Sequence, residues 1–452
     1  MMFRAEELAE ATGGELVSSG RAGPLTTDSR RLQPGDWFVA LVGERFDGHS
    51  YLRHAAAADC AGIIAERAPE GWSRGFIRVP DTLKALQDVA RYARAGFHGP
   101  VVGITGSAGK TTTRAMTAVA LSGLGRVHAT AGNLNNHIGV PLTILHAPVD
   151  AAAWVIEMGM NHLGEIALLQ DIARPTVRLI TNVGAAHTEG VGGIEGVVRA
   201  KQELFDGARP GDVCIINDDD PHIRAMPLPE GVRVVRFGRG EDCDVRLTDV
   251  AIDPTSLSTR FRVEGALGVG LGNIPSPGEH LALNAAAAIA VAVTLHQPLG
   301  AAAAALSSYA PVGARQRVEH LPSGVTVIND AYNANPLSTG ASLKTLAALP
   351  GKRRVALLGD MLELGEEEQA SHRAMLSLAR SLPIDLIGLA GPRYAAAHAA
   401  LGAPDDVIVA ADADALGAAL ADTLSAGDVV LLKGSRGLAM ERILSQLSQT
   451  GR

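Results

Sequence analysis

The 452-residue sequence has few aromatic residues, few cysteines and no excess of positive charge. Phe, Trp and Tyr make up 4% of the chain, so its cores must be built mainly from Ala, Val, Leu and Ile. Cys60, Cys214 and Cys243 are odd in number and far apart, which gives neither a disulfide framework nor a CxxC pair. Lys and Arg total 40 against 48 Asp and Glu, a net charge of −8, so no basic excess exists for binding a nucleic-acid backbone.

Long apolar runs are also missing. The longest apolar stretch, around residues 281–295, contains Asn284 and is too short to span a bilayer. The N-terminus is charged within its first turns and has no apolar signal core. We therefore expect a cytoplasmic protein that has no membrane span, binds small molecules rather than nucleic acid, and is a monomer.

Strand and helix patterns predict an α/β protein of three domains. The length alone suggests two to four domains. Short strands and helices over residues 1–97 indicate a small α/β domain. Alternating strands and helices over residues 98–311 predict a central domain with a mainly parallel sheet, and residues 233–264 suggest its antiparallel edge. Pro311 and Gly313 mark a break, and five strand–helix units over residues 312–452 predict a Rossmann-like, doubly wound domain ending in a helix over 436–447.

The strongest local motif is a phosphate-binding turn. In VVGITGSAGKTTTRAM, a buried strand at 101–105 enters a Gly-rich turn and then a helix. Such a turn directs backbone N–H groups and the positive end of a helix at phosphate oxygens. Lys110 is placed to reach the β- and γ-phosphates and the Thr111 hydroxyl to bind Mg²⁺. The usual pattern has Gly where this chain has Ile104, which argues against an ordinary P-loop kinase or GTPase. A plain Gly-rich strand–helix turn is the alternative.

Three later residues supply chemistry that a metal–nucleotide site needs. Glu157 ends one strand and His187 follows another, at carboxyl ends where α/β proteins form ligand sites. Mg²⁺ prefers carboxylate oxygen, so Glu157 is the more natural ligand. Taken alone, His187 reads as a structural histidine, and Lys201, on an amphipathic helix, as a solvated lysine.

Polar residues follow strands in the last domain too. Asp330, Asp360 and Lys433 lie at or just past strand ends, a placement typical of a ligand crevice at the carboxyl edge of a sheet. Each has a structural alternative as a turn former or helix N-cap, especially Asp360, which stands before MLELG. The Asn-Pro step in DAYNANP is itself turn chemistry.

Taken together and in this order, the motifs resemble the Mur ligase family over nearly the whole chain. The matching segments are TGSAGKT (105–111), NLNNHIGVP (133–141), EMGMNHLGEI (157–166), NVGAAHTEG (182–190), RAKQELF (199–205), NDDDP (217–221), INDAYNANP (328–336), LLGDMLELG (357–365) and LKGSRGLAMERI (432–443). DAYNANP, GDMLELG and KGSRG together point to the member that adds a dipeptide. A DNPR-like motif, typical of the sister ligase that adds the third amino acid, is not found in the sequence.

The resemblance implies a set of site residues. For ATP these are Thr105, Gly106, Ser107, Ala108, Gly109, Lys110, Thr111, Thr112, Asn284, Arg317 and Asp330. For Mg²⁺ they are Thr111, Glu157, His187 and a carbamylated Lys201. The implied catalytic residues are Lys110, Glu157, His187 and Lys201. For the other substrates they are Asp28, Ser29, Arg30, Arg45, Asn135, Asn136, Tyr332, Asn333, Asn335, Lys433, Ser435 and Arg436. The chain departs from the family's H-N-x-x-N-A pattern because Leu281 replaces the first Asn, so only the second Asn of the pattern, Asn284, has a match here.

The implied activity is ATP-dependent formation of a peptide bond between UDP-MurNAc-tripeptide and D-Ala-D-Ala, through an acyl phosphate. The first domain is expected to hold the UDP-sugar, the second ATP and the third the dipeptide. One alternative is a related amide ligase acting on UDP-MurNAc-dipeptide or a folate. A nucleotide-gated binding or switch protein is another, but it leaves the last domain without a purpose.

Overall fold

The computed structural model describes residues 1–43, 46–186, 188–420 and 423–447. It confirms the α/β class and contains three main sheets, which follow one another along the chain. None of the helices in these ranges is long and apolar enough to cross a membrane.

The first sheet is built from the N-terminal residues. Its elements are α1 (Ala5–Thr12), β1 (Glu15–Ser18), β2 (Leu25–Thr26), β3 (Trp37–Val39), β4 (Val42–Gly43), β5 (Phe46–Asp47), α2 (Leu52–Ala57), β6 (Gly62–Ala65), β7 (Gly75–Arg78) and α3 (Thr82–Ala95). The strand order is β1-β7-β6-β3-β2, with only β1 antiparallel, and β4 and β5 form a separate hairpin. The Asp81 carboxylate caps α3 by accepting a hydrogen bond from the Lys84 N–H. The buried strands β3 and β6 form the centre of this sheet.

The second sheet has nine strands. Its elements are β8 (Val101–Thr105), α4 (Lys110–Ala120), β9 (Val127–Ala129), α5 (Gly139–Leu145), β10 (Ala153–Glu157), α6 (Glu165–Ala173), β11 (Val177–Ile180), α7 (Ile194–Asp206), β12 (Val213–Asn217), α8 (Pro221–Arg224), β13 (Arg233–Gly238), β14 (Val245–Asp253), β15 (Ser258–Gly265), β16 (Gly268–Ile274), α9 (Glu279–Thr294) and α10 (Leu299–Ala305). The order is β16-β15-β14-β13-β12-β11-β8-β10-β9. The predicted antiparallel edge exists but begins later than expected: β13 and β14 still pair in parallel with their predecessors, and antiparallel pairing starts between β14 and β15.

The third sheet confirms the predicted doubly wound domain. Its elements are β17 (Arg317–His320), β18 (Thr326–Asp330), α11 (Pro336–Ala348), β19 (Arg354–Gly359), α12 (Glu368–Ser381), β20 (Leu386–Ala390), α13 (Pro392–Ala400), β21 (Val407–Ala410), α14 (Ala413–Leu420), β22 (Val429–Lys433) and α15 (Glu441–Leu447). The order is β17-β18-β22-β19-β20-β21. All pairs are parallel except β17 with β18, and strand β17 itself was not predicted from the sequence. One apolar cluster packs α11, α12 and α13 on one face, and another packs α14 and α15 on the other.

The helix predicted over 436–447 is interrupted. Residues 436–438 form a single 3₁₀ turn, and α15 starts only at Glu441. Ala439 has a left-handed backbone conformation with φ 48°, which breaks a right-handed helix.

Contacts within the chain define two compact units. One comprises Met1–Gly103, Leu124–Gly159 and Glu165–Thr176, and the other comprises Ile104–Gly123, Met160–Gly164 and Val177–Arg452. The larger unit contains the phosphate-binding turn and the whole third sheet. The domain boundaries near residues 97 and 311 stay predictions.

Candidate active site

The predicted phosphate-binding turn lies between β8 and α4, and its geometry requires glycine. Gly106 has φ 152° and Gly109 has φ 78°, conformations that side-chain-bearing residues rarely adopt. A Cβ at position 106 would lie 1.8 Å from Thr181 Oγ1, and one at position 109 would lie 2.7 Å from Asn284 Oδ1. Asn284, which the family resemblance associates with the nucleotide, therefore lies directly against the turn.

Asn182 holds this turn in place. Its carbonyl accepts a 3.0 Å hydrogen bond from the Ser107 N–H, and its Oδ1 accepts a 2.8 Å bond from the Ala108 N–H. The Ser107 hydroxyl also donates to the Gly184 carbonyl at 2.9 Å. Asn182 is the first residue of the NVGAAHTEG segment, and this role was not predicted for it from the sequence. The signal was available, because Asn182 follows β11, which neighbours β8 in the sheet.

Lys110 opens α4 and folds back over the turn. Its Nζ donates a 2.6 Å hydrogen bond to the Gly106 carbonyl. Thr111 and Thr112 are buried in the first turn of the same helix, and Thr105 is buried at the end of β8. The start of an α-helix leaves backbone N–H groups without intrahelical acceptors, which makes this place suited to phosphate oxygens.

Lys201 is completely enclosed on α7, with only 1% of its surface exposed, so its interpretation as a solvated lysine is wrong. Burial, and secondly the positive charge of Lys110, lower the pKa of the Lys201 amine well below its ordinary value. The structure thus favours an uncharged amine at this position. An uncharged amine is a nucleophile, whereas an ammonium is not.

Glu157 ends β10, as predicted, and is buried there. Its N–H donates to Thr130 Oγ1 at 2.9 Å, and its Oε1 accepts a 2.9 Å bond from Asn135 Nδ2. A predicted metal ligand and a predicted substrate residue are therefore in direct contact. Asn136, unlike Asn135, has a structural role: its Oδ1 accepts a hydrogen bond from the Gly139 N–H and fixes the start of α5.

Two predicted site residues, Arg45 and His187, lie outside the described residues. The other residues assigned to the UDP-sugar form a local cluster before β3. The Arg30 guanidinium donates two 2.8 Å hydrogen bonds to the Asp28 carboxylate. These bonds lower the pKa of Asp28 to about 2. Ser29 begins the 3₁₀ turn that Asp28 caps.

In the third sheet, three motifs meet at one edge. DAYNANP follows β18, KGSRG follows β22 and GDMLELG follows β19, and these three strands are neighbours. Asp330 and Lys433 are register partners across β18 and β22, and their charged groups are 2.7 Å apart. The Asp330 carboxylate also accepts bonds from the Gln316 N–H at 3.2 Å and the Ser342 hydroxyl at 2.8 Å. Gln316 and Ser342 were not found by sequence reasoning.

The KGSRG segment ties the other two motifs together. Lys433 Nζ donates to the Asn333 carbonyl at 2.7 Å. The Ser435 hydroxyl donates to the Ala334 carbonyl at 3.3 Å and accepts from the Leu362 N–H at 2.9 Å. Both Lys433 and Ser435 are buried. Their hydrogen bonds to backbone groups hold the DAYNANP and GDMLELG loops in position.

The remaining residues of this edge are more exposed. Tyr332 is half-buried, with the Arg315 guanidinium 3.6 Å from its ring centroid. Asn333 projects to the surface, and Arg436 is exposed and paired with Glu441. Arg317, predicted to lie near the nucleotide, is exposed on β17 opposite Asn329.

Asp360 caps a helix, but not one that begins at the MLELG segment after it, because residues 361–364 form no helix. Its buried carboxylate accepts from the N–H groups of Arg393 at 3.0 Å and Tyr394 at 2.9 Å, in the first turn of α13. His372, which sequence reasoning did not identify, holds the adjacent loop. Its Nε2 accepts a 2.9 Å bond from the Met361 N–H, while Nδ1 lies 2.7 Å from the Glu368 carbonyl.

The donor chemistry present fits magnesium. The Thr111 hydroxyl and the Glu157 carboxylate are oxygen donors, the type that Mg²⁺ prefers. Within residues 1–43, 46–186, 188–420 and 423–447, no three His, Cys, Asp or Glu side chains form a metal-binding cluster. Proteins often hold Mg²⁺ with one or two carboxylates and substrate phosphates instead. Lys201 fits such a site only as an anionic carbamate, because an amine beside Lys110 supplies no negative charge.

Comparisons with known proteins agree with these motifs. Two family models match, the Mur ligase middle domain at residues 104–292 and the Mur ligase, glutamate ligase domain at residues 315–436. The UDP-N-acetylmuramoyl-tripeptide–D-alanyl-D-alanine ligase of Bacillus subtilis (strain 168) is 36% identical, covering 94% of this chain and 93% of that protein. A crystal structure of MurF from Acinetobacter baumannii matches with a TM-score of 0.92 at 31% identity, over 99% of both chains. The structure of MurF ligase from Thermotoga maritima in complex with ADP matches with a TM-score of 0.84 at 30% identity, over 95% of this chain and 98% of that one.

Proposed function

The chain belongs to the Mur ligase family, and we propose that it is the ATP-dependent ligase that joins D-Ala-D-Ala to UDP-MurNAc-tripeptide. The observation that carries this proposal is the third-sheet edge, where Lys433 and Ser435 bind the DAYNANP and GDMLELG loops to one another. Relatives that match over nearly the whole chain bear the name of this activity. A ligase for UDP-MurNAc-dipeptide or folate is therefore not favoured.

The first step of the proposed reaction activates the tripeptide. An oxygen of its terminal carboxylate attacks the γ-phosphorus of ATP. The bond between that phosphorus and the oxygen that bridges to the β-phosphate breaks, so that ADP departs and the tripeptide carries an acyl phosphate. Positioning and charge neutralisation dominate such a transfer. The turn at 105–112 would hold the phosphates, with Lys110 exchanging its bond to the Gly106 carbonyl for phosphate oxygens. Mg²⁺, when bound, would neutralise phosphate charge beside Thr111, Glu157, His187 and Lys201.

A carbamylated Lys201 is part of the same proposal. The amine would add to CO₂, forming an N–C bond and releasing one proton, so that a cation-forming group becomes an anion. Its burial and lowered pKa favour the uncharged form that this addition needs. The change turns an uncharged amine into an anion, which the positive charge of Lys110 attracts.

The second step transfers the acyl group to the dipeptide. The uncharged amine of D-Ala-D-Ala attacks the acyl carbonyl, and the C–O bond to phosphate breaks, releasing inorganic phosphate and a proton. Residues of the third-sheet edge, Tyr332, Asn333 and Arg436 among them, would contact the dipeptide. The cluster of Asp28, Ser29 and Arg30, together with Arg45, would hold the UDP-sugar, with Asn135 and Asn136 contributing to substrate binding. The proposed enzyme is a cytoplasmic monomer.

The deciding experiment measures phosphate release from ATP with defined acceptors. We expect release only when UDP-MurNAc-tripeptide and D-Ala-D-Ala are both present, and tripeptides carrying lysine or diaminopimelate test the third residue. Release with UDP-MurNAc-dipeptide plus an amino acid, or with a folate plus glutamate, would instead identify a sister ligase. Nucleotide binding without acceptor-dependent ADP would identify a switch protein.

A further inference from the structure

Asn335 stands at the start of α11 and uses one half of its amide there. Its Oδ1 accepts a 2.9 Å hydrogen bond from the Ser338 N–H, and the Ser338 hydroxyl accepts a 3.2 Å bond from the Asn335 N–H. This reciprocal pair is a capping box. Asn335 is buried, so the amide is fixed by the helix that it caps.

The other half of the amide reaches the phosphate-binding turn. Asn335 Nδ2 donates a 3.2 Å hydrogen bond to the carbonyl of Ser107, a residue 228 positions away. Ser107 is itself held by its bonds to Asn182 and Gly184. A side-chain amide combines an acceptor with a donor, and Asn335 uses both. One side chain therefore connects the proposed ATP-binding turn to the proposed dipeptide-binding loop.

Further contacts lie beside this connection. The Thr188 hydroxyl donates to the Leu364 carbonyl at 2.8 Å, joining the segment after β11 to the GDMLELG loop. Leu337 packs against Gly184, where a Cβ would lie 3.4 Å from Leu337 Cδ2. The loops of the third-sheet edge thus lie against the segments that hold the turn. Asn335 is the member of this group that bonds directly to a residue of the turn.

We propose that Asn335 is a positioning residue that couples nucleotide binding at the turn to dipeptide binding at the third-sheet edge. The inference rests on the proposed function, since it takes ATP and D-Ala-D-Ala as the two ligands. A nucleotide bound at the turn fixes the position of the Ser107 carbonyl. Through its hydrogen bond to that carbonyl, Asn335 then fixes the position of the DAYNANP loop. Coupling between two sites is reciprocal, so each ligand would raise the affinity for the other by the same factor.

The test compares dipeptide affinity with and without nucleotide. Calorimetry on the full chain, with UDP-MurNAc-tripeptide present throughout, gives the Kd of D-Ala-D-Ala in the absence of ADP and at saturating ADP. For the unaltered chain we expect ADP to tighten dipeptide binding about 5-fold or more. In Asn335→Ser, which retains a capping hydroxyl but is too short to reach Ser107, this ratio should fall toward one. Asn335→Asp keeps the cap and the length but removes the donor, and should give the same loss.

A control variant separates coupling from helix capping. Ser338→Ala removes the reciprocal hydroxyl but leaves Asn335 Nδ2 in place, so it should lower the melting temperature and retain the ADP-dependent ratio. The inference is wrong if the unaltered chain shows no coupling, if both Asn335 variants retain it, or if Ser338→Ala loses it equally. Failure of the proposed function would look different, because D-Ala-D-Ala would then not support phosphate release by the unaltered chain.

Discussion

Lys433 and Asp330 form an ion pair between neighbouring parallel strands, with Nζ and Oδ2 separated by 2.7 Å and both side chains largely enclosed. The carboxylate takes further hydrogen bonds from Gln316 and Ser342. Removing one partner of such a pair leaves a charge in a place with little water, which costs more free energy than the pair contributes. The pair therefore fixes the edge at which the three motifs meet.

We expect Lys433→Met to lower the free energy of unfolding by about 3–5 kcal/mol, because Asp330 keeps a buried charge without its cation. Urea denaturation followed by circular dichroism measures this loss. Lys84→Met is the matched control, since Lys84 pairs with Asp88 at the surface and such pairs contribute about 1 kcal/mol or less. Equal small effects of the two substitutions would show that the buried pair is not stabilising this edge.

His372 makes the stability of the third domain depend on pH. Its Nε2 accepts the Met361 N–H, which requires a neutral ring, and burial lowers its pKa from the ordinary value of 6.5. The unfolded chain therefore binds this proton at a higher pH than the folded chain does. Stability from His372 is present above about pH 6.5 and is lost as the pH falls toward the lowered folded pKa.

His372→Gln tests that dependence, because an amide oxygen can accept from the Met361 N–H without titrating. Between pH 6.5 and 5, we expect the slope of unfolding free energy against pH to be smaller in the variant by up to about 1.4 kcal/mol per pH unit. Urea midpoints at several pH values give the two slopes. Identical slopes would mean that protonation of His372 does not cause the pH dependence of stability.

The sequence predicted the parts of the molecule that local patterns determine. The turn around Lys110, the carboxyl-end positions of Glu157 and Asp330, and the alternating third domain all follow from strand and helix periodicity. Burial was not predictable in the same way: Lys201 lies on an amphipathic helix, and its enclosure depends on elements that pack over it.

Contacts between distant segments were not predicted either. Asn182 supports the turn from a neighbouring strand, and Gln316 reaches Asp330 from a left-handed position with φ 52°. Strand β17 is short and half-exposed, and it exists because β18 offers an edge with which it can pair. Such features depend on which segments become neighbours, which periodicity alone does not define.

We expect Lys110→Met to reduce dipeptide-dependent phosphate release at least about 100-fold, since it removes the cation placed over the turn. Coupled-enzyme detection of phosphate, with all three substrates saturating, measures the loss. Lys344→Met, the same change at an exposed lysine of α11, should retain the unaltered rate. Near-normal activity of the Lys110 variant would contradict the assignment of the turn to ATP.

Carbamylation of Lys201 leads to a prediction about chemical rescue. Lys201→Ala should lower activity at least about 100-fold, because it removes the proposed anion and leaves a cavity in its place. Added short-chain carboxylates, such as acetate or propionate, should restore part of the rate by placing a carboxylate in that cavity. Lys201→Arg should show no rescue, since a guanidinium fills the space and does not form a carbamate.

A spectroscopic measurement distinguishes a carbamate from a buried lysine that only supports the fold. The unaltered chain equilibrated with ¹³C-bicarbonate should show one carbamate carbon signal that is absent from Lys201→Ala, and the signal should disappear under CO₂-free conditions together with activity. The lowered pKa of Lys201 favours this addition at neutral pH, where an ordinary lysine is almost entirely protonated. A folded Lys201→Ala variant without rescue, combined with no carbamate signal in the unaltered chain, would leave Lys201 as a neutral buried amine and remove it from the proposed metal site.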